Sequence, residues 1–377
     1  MGFFVDVPEG FAISGGDGET SFTFSDPYGY MDFLIATYPA ARYSSPEAIA
    51  KDIASKLKAS LKTLNYSYEG RKACYFSLTF TYEKSPMAGI GIAIEGIGEN
   101  SAKDTLLLSY APTEAFEPYA PFMRSCLDGF SADAGAKRSP GPLSQMLRGA
   151  SKGAEWAIES ASGAKGAAFL ATPIAETPRN VPFEGAILSI PYSARDAATL
   201  KLICRREYEV LSAYADDAEL AAFAMTRFYH MVYRDAYRKL DRVALELGRR
   251  MGLPGSGERS IAERALAWVQ SFHYERGSEG IDFVDPYSAA FEANGDCDSR
   301  VILMLIVLHH LNIDGIMMLS GVHSHAIAAV AVDGKGARFS HNEIGYLVAE
   351  TTDEVQLGLI AAEMSDREDW IGIDFWF

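Results

Sequence analysis

Asn294-Gly295-Asp296-Cys297-Asp298-Ser299-Arg300, running into the unbroken apolar stretch Val301 to Leu308, is the segment whose reading decides the fold. A glycine turn, a cysteine and then a long apolar helix present a thiol at a helix N-terminus. There the unpaired backbone N–H groups and the helix dipole favour the thiolate, the reactive form. Asp296 and Asp298 flank the thiol and work the other way, because neighbouring anions raise its pKa. The balance then falls to a base near the sulfur, and a cysteine nucleophile also needs a third group to orient that base.

Both partners lie downstream. Gly321 to Val332 predicts a strand carrying His323 and His325, with a turn at Asp333-Gly334. Tyr346 to Glu350 predicts another, ending at Thr351-Thr352-Asp353. Two adjacent strands packed on the helix bring the His325 imidazole between the Cys297 thiol and the Glu350 carboxylate. The intervals of 28 and 25 residues suit helix-to-strand-to-strand connections. Asp353 and Glu343 are the other carboxylates in reach of that role. Upstream, Ile261 to Tyr274 has the stripe of an amphipathic helix, with Ile261, Ala265, Trp268, Val269 and Phe272 inward. An oxyanion hole would use the Cys297 backbone N–H, with Gln270 or Tyr274 as second donor. The polar loop from Gly277 to Pro286 offers one wall of the site.

A competing reading takes His323 and His325 as an HxH pair on one strand face, binding zinc with Glu343 or Glu350. His309, His310 and His341 add nitrogens, but a helix C-terminus favours cationic side chains at 309 and 310 without any metal. The preferred reading has no metal and no cofactor, and makes His323 and Asp296 parts of the thiol site's wall.

The same residues carry a family resemblance. Gly295 to Arg300, then His325-Ala326, then Glu350-Thr351-Thr352 resemble the bacterial transglutaminase-like cysteine-enzyme superfamily, as does Trp268 to Tyr274 leading into that core. The resemblance covers about residues 260–353. It implies a papain-like core with Cys297 as nucleophile, His325 as general base and acid, and Glu350 as orienting carboxylate. The superfamily usually has aspartate at that last position; Glu-Thr-Thr resembles a bacterial branch. The implied activity is amide acyl transfer through a thioester, chiefly peptide or isopeptide hydrolysis, on a peptide or protein substrate. The alternative is a non-catalytic module of the same fold, serving binding or scaffolding.

Residues 1–135 read as a small α+β domain. Strands are predicted at 21–25, 31–37, 73–82, 89–96 and 104–111. A helix capped by Ser45 and Pro46 carries Ile49, Ile53, Leu57, Leu61 and Leu64, and a second spans 113–130. This order, closing on Leu127-Asp128-Gly129-Phe130, resembles the Mog1 and photosystem-subunit-P-like domains and implies a recognition or accessory role. Residues 136–192, rich in small residues and proline, read as linker and irregular segment around one helix near 143–160. Residues 193–377 read as helices at 195–213 and 217–250 leading into the transglutaminase-like domain. The fold class is α+β.

The totals agree with a multidomain globular chain. It has 377 residues, 48% hydrophobic and 22% charged, with a net charge of −16. That charge repels phosphate, so nucleic acid is not an expected partner. No stretch reaches the roughly 18 apolar residues of a membrane span. Four scattered cysteines without a CxxC pair exclude a disulfide scaffold, although Cys74 and Cys126 share a domain and a pairing there stays open. No signal peptide is legible, so a cytoplasmic setting is the default expectation, or an exported one if the chain was trimmed. The oligomeric state is open.

Overall fold

The computed structural model describes residues 2–98, 102–133, 135–252, 255–277 and 281–375. The chain forms two compact units, one from Met1–Ile174 with Ala198–Asp235, the other from Ala175–Ala197 with Ala236–Phe377. Most of the two helices expected to lead into the C-terminal domain therefore belong with the N-terminal unit. The reason is polar as well as apolar: their Arg206, Glu207, Arg227 and Arg234 side chains are buried there.

The first unit is built on a seven-stranded antiparallel sheet. Its spatial order is Ala12–Gly16, Ser21–Ser25, Asp32–Pro39, Lys103–Pro112, Ser85–Ile97, Arg71–Tyr82, Ser60–Tyr68. The strands at 12–16 and 60–68 were not expected. The first helix ends at Leu57 because Lys58 turns left-handed (φ 51°), and Leu61 and Leu64 then continue in a strand paired with Leu78 and Tyr75. A helical period and an alternating one share positions over so short a span, so the stripe alone does not separate them. The strand at 71–82 is covered on both faces: Phe76 and Leu78 pack with Ile49, while Tyr75 packs with Ile158 and Trp156.

The expected linker is ordered. Pro142–Gly149, Glu155–Ser162 and Gly166–Leu170 are helices, and Leu143, Met146, Leu147, Ala157 and Ile158 are buried in the same core as the sheet. Small residues there permit close helix-to-sheet approach, so low bulk was not a sign of disorder. Asp128 accepts from the Leu143 and Ser144 amides at 2.8 and 3.2 Å and thus fixes the start of the first of these helices. Cys74, Cys126 and Cys204 are buried and form no disulfide.

The second unit holds a hairpin, Thr177–Phe183 with Ala186–Tyr192, inside the segment expected to be irregular. It also holds a five-stranded antiparallel sheet ordered Arg338–His341, Ile344–Ala349, His325–Val330, Gly315–Ser320, Ile371–Asp374. The long helix expected to Arg250 breaks at a 3-10 turn, Arg238–Leu240, into Ala218–Tyr237 and Asp241–Arg250. The helix Cys297–His310 runs through the middle of this unit, with every residue from Ser299 to His309 buried. Among the described residues no helix is long and apolar enough to cross a membrane.

Candidate active site

The turn that presents Cys297 is set by its own residues. Asp296 has extended backbone and caps the helix, its Oδ1 accepting from Ser299 N at 2.8 Å. Its Oδ2 accepts from Val284 N at 2.9 Å, which ties the preceding loop to the turn. Gly295 is required by space: a Cβ there would lie 2.5 Å from Ser299 Oγ. Cys297 is thus the first helical residue, and its N–H has no intrahelical acceptor.

Antiparallel pairing of Ala328 with Ala349 sets the start of one strand beside the end of the next. His325 Nε2 lies 2.8 Å from Glu350 Oε2. The other carboxylate oxygen, Oε1, accepts from Thr352 N at 2.8 Å and Thr352 Oγ1 at 2.6 Å, so Glu350 has one rotamer and one oxygen left for the imidazole. Glu350, rather than Asp353 or Glu343, meets the ring. The helix Cys297–His310 packs on the His325 strand, which in turn pairs with the strand that ends before Glu350, so the three elements meet.

The electrostatics oppose a pre-formed thiolate. Burial pushes the Cys297 thiol up, Asp298 and Asp296 add to the rise, and the Ala326 N–H counters only part of it. The thiol donates to Asp298 Oδ1 at 3.3 Å. Burial also pushes the Asp296 carboxyl up to about 6, helped by the Asp298 charge. For His325 burial favours the neutral ring, but the Glu350 hydrogen bond and charge, with Asp298 and Asp353, prevail and raise its pKa. Burial acts to raise the Glu350 pKa, yet His325 and Thr352 hold it below the ordinary value.

Two expected roles change. Gln270 Nε2 donates to Glu350 O at 2.8 Å and Val355 O at 3.0 Å, which engages both amide hydrogens and leaves none for an oxyanion. It braces the acid strand instead. His323 lies in the turn before the strand, not on it, because the strand starts at His325. The HxH face therefore does not form; His323 Nε2 lies 3.1 Å from Asp369 Oδ2 and its ring 5.7 Å from Trp370. His310 pairs with Asp241 at 2.7 Å, His341 with Asp374 at 3.2 Å, and His309 Nε2 is 3.0 Å from Gly315 O. Tyr274 is half-exposed above Arg300, and burial raises the pKa of its phenol against the pull of Arg276. Of the wall expected at 277–286, residues 278–280 lie outside the described residues.

Two side chains were not singled out from sequence. Trp370 stands 6.4 Å from the His325 ring, edge to face. Arg300 is fully buried and donates to three carbonyls: Gly295 at 3.1 Å, Thr351 at 3.2 Å and Phe272 at 2.8 Å. A charged residue directly before eight apolar ones was the available signal for Arg300. Nothing local marks Trp370.

A cleft of about 640 Å³ lies against the helix Glu258–Gln270 and the segment after Glu350, with Gln270 and Val355 in its lining. Cys297, His325 and Glu350 do not line it, so it adjoins the site rather than containing it.

No family model matches this chain, and no curated protein matches it. Among solved structures it is similar to the Saccharomyces cerevisiae Ran-binding protein Mog1p, at 9% identity over 36% of this chain and 92% of that one, with a TM-score of 0.27. It is similar also to LpqN of Mycobacterium tuberculosis, involved in cell envelope biogenesis, at 9% identity over 33% and 76%, TM-score 0.25. A Bacteroides thetaiotaomicron VPI-5482 protein matches at 12% identity over 57% and 95%, TM-score 0.24.

Proposed function

We propose that the second unit is a transglutaminase-like cysteine enzyme that transfers an acyl group from a peptide or isopeptide amide, chiefly to water. The observation that carries this reading is the 2.8 Å contact of His325 with Glu350, made on a strand that packs against the helix headed by Cys297. His325 takes the thiol proton as sulfur attacks the amide carbonyl, and returns it to the leaving amine as the tetrahedral adduct collapses to a thioester. Water, deprotonated by the same ring, then releases the acid and restores the thiol. The Cys297 N–H and the Tyr274 hydroxyl are the oxyanion donors in this scheme. The proton moves during attack, since burial and two aspartates keep the resting thiol neutral.

Cys297→Ala is expected to abolish cleavage of fluorogenic peptide and isopeptide substrates. In the native chain the rate rises with pH through a midpoint above the ordinary imidazole value of 6.5, because the base form of His325 is the neutral ring and its pKa is raised. Activity that survives Cys297→Ala would end this reading. The second reading, a non-catalytic binding module, is favoured by one observation, the thiol's shift towards the protonated form. It predicts no amide cleavage by the native chain and no thioester trapped on acid quench.

A further inference from the structure

The cleft beside the acid strand is not used by the chemistry above, and its lining has a definite character. Leu266, Val355 and Leu357 supply apolar wall. Glu263 and Glu354 supply carboxylates, and no lysine or arginine is among its described lining residues. Glu263 is shared with Arg259, Nε to Oε1 at 2.8 Å. Glu354 has no hydrogen-bond or ion-pair partner among the described residues. Gln270 spends both amide hydrogens on backbone carbonyls, so its carbonyl oxygen is what it has left to offer. Beside the uncharged Ser271 and Gln356, the cleft thus presents acceptors, one exposed and unpaired anion and methylene-binding walls. Its complement is a flexible aliphatic chain ending in a cationic donor.

Its position relates it to the thiol site. Glu354 follows Glu350 by four residues, so their Cα atoms are at most about 14 Å apart, the reach of a short extended peptide. Asp353, between them, acts on the His325 ring and extends the negative field toward the thiol. Gln270 joins the two sites physically, since the carbonyls it holds are those of Glu350 and Val355.

We propose that this cleft is the subsite for a basic side chain, lysine or arginine, lying within a few residues of the amide attacked by Cys297. The inference rests on the acyl-transfer reading for its meaning, but it is tested by binding alone. Full-length Cys297→Ala protein is titrated calorimetrically with capped alanine hexapeptides holding one lysine or one norleucine, with the position scanned. Lysine is expected to bind about fivefold tighter at one position, the upper range for a partly exposed ion pair. Glu354→Gln in the same background is expected to bring that ratio to about one. Equal binding of the two series, or a lysine preference that survives Glu354→Gln, overturns the proposal. A lysine preference in a chain whose native form cleaves no amide supports the cleft and ends the acyl-transfer reading.

Discussion

Asp298 sits beside the thiol and accepts a hydrogen bond from it at 3.3 Å, so it favours the protonated, unreactive form of Cys297 until a base competes for that proton. Only the thiolate alkylates, and a neighbouring anion lowers the thiolate fraction at any given pH. Asp298→Asn removes one such anion. The pH curve for iodoacetamide alkylation of Cys297 is then expected to move to lower pH, with the rate at pH 7 up roughly threefold to tenfold. Cys297→Ala serves as the blank. An unmoved curve would mean that burial alone sets the thiol's state. The sequence showed that two carboxylates flank the thiol, but not that one of them is its hydrogen-bond acceptor, since that depends on rotamers.

At the scale of elements, the site is a meeting of the helix from Cys297, the strand from His325 and the end of the strand before Glu350. Arg300 binds carbonyls from the nucleophile turn, the acid segment and the end of the helix before the site, so one planar guanidinium sets three separations. Burial lowers its pKa against the pull of nearby groups that include Asp296 and Glu350, a cost offset by those three charge-assisted bonds. Arg300→Lys keeps a charge and loses the fork. It is expected to retain the fold by circular dichroism while the rate of the proposed acyl transfer falls on the order of a hundredfold, the penalty for misplacement by about 1 Å. A lysine variant at the native rate would remove Arg300 from any positioning role. The His325 and Glu350 strands were legible as short apolar runs bounded by turn and polar residues. The strand at Gly315–Ser320 was missed because its run, Gly315-Ile316-Met317-Met318-Leu319, has no period of its own and follows closely on the apolar helix.

At the scale of the whole molecule, each unit keeps its own buried polar centre. In the first, Glu207 accepts from Arg206 Nε at 2.7 Å, Arg227 Nη1 at 3.0 Å and Ser125 Oγ at 2.8 Å, while Arg206 reaches Asp128 at 2.7 Å. Burial alone would raise the Glu207 pKa, but the two arginines and Ser125 hold it below its ordinary value. Removing the carboxylate leaves buried guanidinium charge uncompensated, so Glu207→Ala is expected to cost about 3–5 kcal/mol, read by chemical denaturation of that unit. A loss under about 1 kcal/mol would show that water or other side chains replace the carboxylate. Sequence does not reveal this network, because nothing local to Arg206 or Arg227 distinguishes a solvated arginine from one paired across the core.

What the sequence by itself determined is the local chemistry of the second unit: a glycine turn, a capping aspartate, a thiol and an apolar helix, then a histidine and a glutamate at strand ends. Those are short-range choices of residue type, and they are written in consecutive positions. Only the tertiary structure decided that Gln270 braces the acid instead of donating to an oxyanion, that His323 faces Asp369, and that the small-residue segment after 135 is packed helix. It also decided that the helical stretch Ala198–Asp235 belongs with the first unit. Each of these depends on partners dozens of residues away, and pairings at that range follow from the packing of the core and the register of the sheets, which no local period records.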